Sequence, residues 1–234
     1  MADYGLGRIL DPRTPRAVAL HPVQADSTTR LRRRWKEPIR LDQGRTGTCV
    51  ANAFGHRRAG NPVGIEGIDQ PWCQKFYLEA SARYWGEPDT TLQKGTSALS
   101  ACEVLLERKA IDRFEWIANW NAGPEQLRYA LLELGPLCVG SNWYSSMYSP
   151  NIVDGVAWMK VNYSSSMEGG HEWLLVTIDL DPADGSEPFV EMLNSWGPGW
   201  GVNGKARFTL PQIDELVFGG WGDAVLIHEL PRAA

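Results

Sequence analysis

The first half of the chain carries apolar side chains at helical spacing in four separate segments. The first begins at Cys49, where CVANAFGHRRAG predicts a helix that ends near Gly60-Asn61-Pro62. The other three are predicted from Cys73 to Trp85, from the capping residues in Gly95-Thr96-Ser97, and from Gly123-Pro124 to a stop at Gly135-Pro136. The pattern therefore predicts that helices dominate this half.

Short apolar or alternating segments replace the helical spacing after residue 136. They predict strands at Leu137–Gly140, His171–Leu180, Phe189–Asn194, Lys205–Leu210 and Ala224–Leu230. A Pro-Ala-Asp-Gly turn at 182–185 predicts that the second and third of these strands pair as an antiparallel hairpin. Helices followed by antiparallel strands indicate an α+β fold with a helical lobe at about 45–122 and a β lobe at about 135–230.

Residues 1–34 precede these segments and show no clear periodicity. They are rich in Pro, Arg and Thr, which predicts an extended N-terminal arm that is partly ordered at best. The arm ends in the basic run Arg30, Arg32, Arg33 and Arg34. Two explanations remain open for this run: an acidic partner surface, or an ordinary solvated segment, which is the commoner case.

Composition narrows the class of protein. The chain has 234 residues with 43% hydrophobic content, which suits one large domain or two lobes that share a cleft. Its net charge of −5 gives no general affinity for nucleic acid. No apolar run approaches the ~20 residues that span a bilayer, and the N-terminus lacks a signal-peptide core. We therefore expect neither membrane insertion nor secretion, and a cytoplasmic protein as synthesised.

The four cysteines lie far apart and form no Cys-x-x-Cys pair. This spacing disfavours a structural zinc site and a dense disulfide framework, and we expect no metal or cofactor. Cys73, Cys102 and Cys138 lie in apolar or helical contexts, which predicts buried free thiols. Cys49 is different because it begins a predicted helix.

Gln43 and Cys49 frame the segment QGRTGTC, in which a glycine-punctuated turn leads to the helix start. The partial positive charge of a helix N-terminus favours a thiolate at Cys49. The amide of Gln43 is able to donate a hydrogen bond to the oxyanion that forms when a thiolate attacks a carbonyl. The pair predicts an acyl-transfer site that also needs a base.

Four histidines are candidates for that base: His21, His56, His171 and His228. His56 lies seven residues after Cys49 on the same predicted helix, a separation of ~10.5 Å that is too long for a direct bond. Its arginine neighbours indicate a solvated helix end. His171 follows Gly169-Gly170, which permits close backbone approach, and it opens an apolar strand that would hold it rigidly.

Asn194 ends the strand that is predicted to pair with the His171 strand. It also opens the segment NSWGPGWGVNG (194–204), which contains four glycines and two tryptophans. A glycine-rich hairpin loop explains the glycines. It leaves unexplained why an amide stands beside the well-placed histidine, where it would fix the imidazole tautomer.

These segments resemble the papain-like cysteine peptidases, whose pattern is Gln-Gly, a nucleophilic Cys six residues after the Gln, a His that opens an apolar strand, and Asn-Ser-Trp-Gly-x-x-Trp-Gly. His171 and Asn194 lie 122 and 145 residues after Cys49, at the compact end of the ~130–150 residues typical of this family. The resemblance covers residues of about 36–230 and implies a papain-like peptidase domain at 35–230, with the site between a helical lobe and a β-barrel-like lobe.

The resemblance also implies a role for each matching residue. Cys49 would be the nucleophile, His171 the base and later the acid, and Asn194 the residue that orients His171. Gln43 would donate to the oxyanion together with the backbone N–H of Cys49, and a thiolate–imidazolium pair would exist before substrate arrives. The implied substrate-binding residues are Gly95 beside an extended substrate, Trp196 over the His171–Asn194 bond, and Trp200 on the leaving-group side.

The nucleophile segment departs from the family pattern Cys-Gly-Ser-Cys-Trp, since it reads Thr46-Gly47-Thr48-Cys49-Val50. Thr46 removes a cysteine that usually forms a disulfide, which agrees with a reducing compartment. The short chain and this missing disulfide resemble bacterial and phage members, so association with a virion is one expectation. The arm resembles no inhibitory propeptide of the family.

Three functions are consistent with these residues. The first is a cysteine-type endopeptidase that hydrolyses peptide or protein substrates through a Cys49 thioester. The second is a catalytically inactive papain-like module for binding or assembly. The third keeps the chemistry and directs it at cell-wall peptides or isopeptide bonds.

Overall fold

The computed structural model describes residues 4–12, 28–117, 123–220 and 222–230. Five α-helices lie in these ranges: α1 (Cys49–Ala59), α2 (Gln70–Trp85), α3 (Ala98–Glu107), α4 (Gly123–Tyr129) and α5 (Leu210–Phe218). The strands are β1 (Arg32–Arg34), β2 (Ile111–Trp116), β3 (Leu137–Tyr144), β4 (Asn151–Val153), β5 (Val156–Trp158), β6 (Met167–Asp179), β7 (Phe189–Leu193), β8 (Lys205–Thr209) and β9 (Asp223–Glu229). A π-helical turn follows α4 at Ala130–Leu134, and a 3₁₀ turn follows β3 at Ser145–Tyr148.

The four predicted helices are present, and capping explains where two of them start. Helix α2 begins three residues earlier than predicted, because the Asp69 side chain accepts a hydrogen bond from the backbone N–H of Trp72. Ser97 caps α3 in the same way, through the N–H of Ser100. Every residue of α1 is buried. The prediction of a solvated end at His56, Arg57 and Arg58 is therefore wrong.

Nine strands form one sheet in the order β2-β9-β3-β6-β7-β8-β5-β4, and β1 pairs with β6. The predicted hairpin is present as β6 and β7, with Leu174 opposite Leu193. The sheet is open, which corrects the expectation of a barrel-like lobe. Closure needs the two edge strands to pair, and β2 and β4 lie at opposite ends of this order.

The hydrophobic pattern of the sequence did not predict strand β2 or helix α5. β2 reads IDRFEW, in which charged residues interrupt the apolar alternation, yet it pairs along its length with β9. The segment predicted as the helical lobe thus supplies one edge strand of the sheet. Helix α5 starts with a capping box between Thr209 and Gln212, a signal that the sequence does contain.

Apolar cores lie on both faces of the sheet. Trp173 and Leu175 of β6 join a core with α4, α5 and the aromatic residues of β3, whereas Leu174 and Val176 join a second core with α1, α2 and α3. This alternation follows from the two-residue period of a strand. β6 is consequently the central strand, held on both faces, and it carries His171 on a rigid support.

The described parts of the arm pack on the rest of the chain. β1 pairs with β6 through Arg34 opposite Thr177. The basic run lies beside acidic residues of the same chain: Arg30 with Glu133, Arg32 with Asp179 and Asp181, and Arg34 with Glu37. In the ranges that the structure describes, no helix is both long and apolar enough to cross a bilayer.

Candidate active site

Cys49 is the first residue of α1, and its side chain is fully buried. The free N–H groups of the first helical turn point at this position. The backbones of Glu172, Gly7 and Val50 make hydrogen bonds that favour the thiolate. Since Glu172 follows His171 in β6, these contacts show that the structure brings the predicted nucleophile to the strand that carries the predicted base.

His171 and Asn194 form a buried hydrogen bond, with 2.8 Å between Nε2 and Oδ1. Asn194 directly follows β7, the hairpin partner of β6, so the pairing of these two strands sets the distance. The structure therefore brings these two predicted residues together.

A second bond identifies the tautomer of His171. The Asn194 Oδ1 also accepts from the backbone N–H of Ser195 at 2.8 Å, and a backbone N–H only donates. The atom that faces the ring is thus an acceptor, so Nε2 carries the proton. The other ring nitrogen, Nδ1, is buried without a hydrogen-bond partner among the described residues. It is left as the acceptor that a neighbouring thiol needs.

Tryptophans enclose the imidazole. Trp196 stacks on His171, with ring centroids 4.6 Å apart and planes 27° apart. Trp143 approaches the ring edge-on at 4.8 Å. This places Trp196 over the ring where the family resemblance implies it. Trp200 lies behind Trp196 and donates from Nε1 to the carbonyl of Tyr148 at 3.0 Å.

Gln43 is held beside the same cluster by a residue that the sequence reasoning missed. The Ser195 hydroxyl donates to Gln43 Oε1 at 2.5 Å, and the Gln43 N–H donates to the Ser195 carbonyl at 2.8 Å. These bonds turn the Nε2 donor of Gln43 toward the carbonyls of Thr46 (2.7 Å) and Gly5 (3.1 Å). Ser195 was present in the Asn-Ser-Trp-Gly motif, but its partner is 152 positions away.

The N-terminal arm fills the site. The Tyr4 ring stacks on Trp196 at 4.3 Å, and the Gly7 N–H donates to the carbonyl of Gly170 at 3.2 Å. A Cβ on Gly5 or on Gly7 would overlap the carbonyl of Thr46 or of Gly47. Only glycine fits at these two arm positions, so the arm sequence is matched to the cleft.

Thr96, rather than Gly95, pairs with the arm. Its N–H donates to the Gly7 carbonyl at 2.9 Å, and its carbonyl accepts from Ile9 at 2.9 Å. The carbonyl of Gly95 instead accepts from Trp85 Nε1 at 3.0 Å. Gly95 still lines the cleft, because a Cβ there would overlap the Gly7 carbonyl.

Burial shifts the pKa of both members of the predicted pair away from the charged form. It raises the pKa of Cys49 to about 12, and the charge of Glu172 acts in the same direction. It lowers the pKa of His171 to about 4 against the opposing hydrogen bond from Asn194. The described state therefore contains a neutral thiol and a neutral imidazole. The expected thiolate–imidazolium pair stays a prediction, because burial in this state disfavours both charged groups.

The other histidines lie away from this site or outside the described residues. His56 Nε2 accepts from the Leu41 N–H at 2.9 Å, a structural bond. His228 lies 3.5 Å from a Glu115 carboxylate oxygen. His21 is outside the described residues. The remaining cysteines, Cys73, Cys102 and Cys138, are buried and free, as predicted.

No family model matches the chain. Among curated proteins, cathepsin O of Mus musculus is 30% identical over 98 residues, which cover 39% of this chain and 27% of the relative. Cathepsin O of Homo sapiens is 34% identical over 92 residues, which cover 37% of this chain and 24% of the relative. The match thus spans about a quarter of the length of these relatives.

Solved structures resemble the chain over nearly its whole length. Xylellain, a cysteine protease from Xylella fastidiosa, has a TM-score of 0.69 at 18% identity and covers 97% of both chains. Digestive procathepsin L2 of the Tenebrio molitor larval midgut has a TM-score of 0.65 at 13% identity over 97% of this chain and 79% of its own. Bromelain of Ananas comosus in complex with E64 has a TM-score of 0.58 at 16% identity, over 82% and 94%. The predicted resemblance in fold is confirmed.

Proposed function

We propose that this chain, which has the papain-like fold, is a cysteine-type peptidase that hydrolyses peptide bonds through a Cys49 thioester. One observation carries the proposal: the Asn194 carbonyl orients His171 so that its Nδ1 is the free acceptor on the strand beside Cys49. A buried imidazole with this tautomer is arranged to take a proton from a thiol. The Nδ1 of His171 has no hydrogen-bond partner among the described residues, so it is not used to hold the fold there.

The reaction follows from these positions. His171 Nδ1 takes the thiol proton, and Cys49 Sγ forms a bond to the substrate carbonyl carbon. The Nε2 of Gln43 and the Cys49 N–H hold the resulting oxyanion. The imidazolium then returns its proton to the leaving amine as the C–N bond breaks and a thioester remains. Water attacks the thioester, with His171 taking its proton and returning it to the thiolate.

The arm has to leave the cleft before this reaction begins. The Gly5 carbonyl already accepts from Gln43 Nε2, so the proposed oxyanion donor is engaged. Cys49 and His171 are both fully buried. Displacement of the arm would free the donor, admit substrate and let the thiolate–imidazolium pair form.

The enclosed site also favours a second function, a catalytically silent module for binding or assembly. Its supporting observation is the neutral, buried thiol with a pKa of about 12. In this alternative the arm is a permanent part of the fold. The two functions differ in whether Cys49 reacts once the arm is displaced.

Labelling of Cys49 with an epoxide or a peptidyl fluoromethylketone tests the proposal. The full chain carrying Gly7→Val is the informative protein, because the added side chain would overlap the Gly47 backbone. We expect this overlap to displace the arm. We expect it to hydrolyse peptide amides and to be labelled stoichiometrically at Cys49. Cys49→Ala and His171→Ala in this background should lower turnover by about 10⁴-fold or more.

Gly220→Ala is the matched control, since a Cβ on Gly220 meets no atom within 4 Å. It should behave as the unaltered chain does. A folded Gly7→Val protein that is neither labelled nor active would contradict peptidase function and support the silent module.

Two finer proposals concern origin and partners. The likeness to xylellain over the full length of both chains supports assignment to a compact, bacterial-type group. For the Arg-rich run, the contacts of Arg30 and Arg32 with Glu133 and Asp179 favour acidic groups of the chain itself over an external acidic partner.

A further inference from the structure

A buried acidic pocket adjoins the proposed catalytic residues. It consists of Gly140, Glu172 and Asp223, which stand in one row across three neighbouring strands. Gly140 in β3 is paired with Glu172 in β6 on one side and with Asp223 in β9 on the other. Because Glu172 follows His171 directly, the sheet fixes the distance between the acidic pocket and the reaction centre.

The arm places the side chain of Arg8 in this pocket. Arg8 Nη2 lies 2.6 Å from Asp223 Oδ2, and Arg8 Nε lies 4.0 Å from Glu172 Oε2. The side chains of Arg8, Glu172 and Asp223 are 2%, 0% and 6% exposed. The contact with Asp223 is a charge-assisted hydrogen bond, whereas the longer contact with Glu172 is an electrostatic one without a hydrogen bond.

The missing side chain of Gly140 makes room for the cation. A Cβ there would lie 2.5 Å from Arg8 Nε and 2.5 Å from Glu172 Oε2. The acidic pocket is thus shaped as well as charged for a guanidinium. Any larger residue at position 140 would occupy the same volume.

Two buried acids without a cation cost free energy, and the cation that faces them arrives on the arm and not on a helix or strand. Both oxygens of Glu172, and Oδ1 of Asp223, lack a hydrogen-bond partner among the described residues. Unsatisfied buried acceptors need an explanation, and a bound basic side chain would supply one.

Electrostatics agree with a cation site. Burial raises the pKa of Glu172 well above its usual range, the charge of Asp223 raises it further, and Arg8 opposes both. A bound cation is therefore what favours ionisation of Glu172.

The path of the arm locates the pocket relative to the bond that is cleaved. Tyr4 lies on Trp196, the Gly5 carbonyl lies at the Gln43 amide, and Arg8 follows beyond them in the pocket. The family resemblance implies that Trp200, whose ring contacts Trp196, lies on the leaving-group side. The acidic pocket accordingly lies on the opposite, acyl side.

We propose that the acidic pocket selects peptide substrates with a basic side chain, arginine above lysine, on the acyl side of the cleaved bond. This inference rests on the proposed peptidase function. In the resting chain Arg8 occupies the place of that substrate side chain. Arginine is preferred because its planar guanidinium spans two carboxylates, whereas an ammonium contacts one point.

Fluorogenic peptide amides test the selectivity. Arginine, lysine, citrulline or leucine is placed in turn at each of the three positions before the scissile bond, and the enzyme is the full chain with Gly7→Val and Arg8→Ala. We expect at least a tenfold higher kcat/KM for arginine than for uncharged citrulline at one position, with lysine between them. Asp223→Asn should abolish that ratio.

Asp112→Asn is the matched control, because Asp112 is an exposed residue outside the acidic pocket. Gly140→Ala provides a second variant that keeps both carboxylates and fills the space. It should reduce the arginine preference even if Asp223→Asn does not fold.

Peptide binding to the same chain with Cys49→Ala, followed by fluorescence anisotropy, separates the two proposals. Hydrolysis without discrimination between arginine and citrulline overturns the acidic pocket and leaves the peptidase intact. Tighter binding of the arginine peptide without hydrolysis by the Cys49 protein supports the pocket and overturns the peptidase. Equal binding and no hydrolysis overturn both.

Discussion

At the scale of single residues, burial decides protonation for His56 as it does for His171. His56 is 1% exposed, and its Nε2 accepts from the Leu41 N–H. Burial lowers its pKa to about 3, and the charge of Arg40 adds to the effect. Both residues are buried neutral imidazoles with one acceptor nitrogen. His56 has a structural role, and His171 is proposed to be catalytic. The difference lies in whether the acceptor nitrogen already serves the backbone.

His56 should make stability depend on pH. Below pH 6.5, the ordinary pKa of histidine, His56 is protonated in the unfolded chain. In the folded chain it is not protonated until the pH reaches about 3. The contribution of neutral His56 to the free energy of unfolding is therefore fully present above pH 6.5. It is lost as the pH falls from 6.5 toward 3. His56→Gln keeps an acceptor and removes the titration. Urea unfolding at pH 4.5, 5.5 and 7.5 gives the free energy of unfolding at each pH. Its slope against pH should be shallower in the variant by up to about 1.4 kcal/mol per pH unit.

Parallel stability curves for the two proteins would contradict this assignment. His171 is present in both, so its own titration cancels in the comparison.

At the scale of elements, the end of α1 is tied to β9 by buried charges. Arg57 Nη1 lies 2.8 Å from Glu229 Oε2, and its Nη2 donates to the Ile227 carbonyl at 3.0 Å. Arg58 approaches the same carboxylate at 3.5 Å. Burial raises the pKa of Glu229, and the two arginines oppose that shift. These contacts hold the helix that carries Cys49 against the sheet.

Arg57→Met should destabilise the chain by about 3–5 kcal/mol, because it leaves Glu229 with one weaker partner. The double variant Arg57→Met with Glu229→Gln should lose less stability than the single variant, since it removes the buried charge of Glu229 as well. Chemical unfolding at pH 7 measures both. Arg113→Met, which breaks the exposed pair with Asp112, should change stability by less than about 1 kcal/mol. A double variant as unstable as the single one would contradict the argument.

At the scale of the whole molecule, the arm, α1 and β6 together enclose the thiol. Arm residues Gly5 and Gly7 pack on the Thr46–Gly47 backbone, and β6 closes the opposite side through Gly170. We therefore expect the reactivity of Cys49 to depend on whether the arm, more than 40 positions away in the chain, is in place.

The rate of Cys49 alkylation by iodoacetamide should therefore have two different pH profiles. In the unaltered chain it should remain low and rise only toward the thiol pKa of about 12. In Gly7→Val the profile should move to lower pH, because solvent and His171 then stabilise the thiolate. Peptide mapping distinguishes Cys49 from the other, buried thiols. Identical profiles would show that the arm does not control the site.

Several features were predictable because their signals are local. The start of α1 at Cys49 follows periodicity, the start of α3 follows capping by Ser97, and the β6–β7 hairpin follows alternation and a turn. The choice of His171 and Asn194 needed only strand ends and a motif. Strand β2 was missed because its charged residues mask the apolar pattern, and the buried Arg57 was missed because its partner is 172 positions away.

Spacing and side-chain type along the chain were sufficient for the α+β class, the papain-like resemblance and the candidate Gln43, Cys49, His171 and Asn194. Three features depended on segments distant in sequence: the ionisation of the thiol, the position of the arm and the contacts of Arg8. Burial and charge pairing are properties of the assembled volume around a group, and a one-dimensional pattern does not contain that volume. The open sheet and the acidic pocket were likewise decided by the tertiary structure.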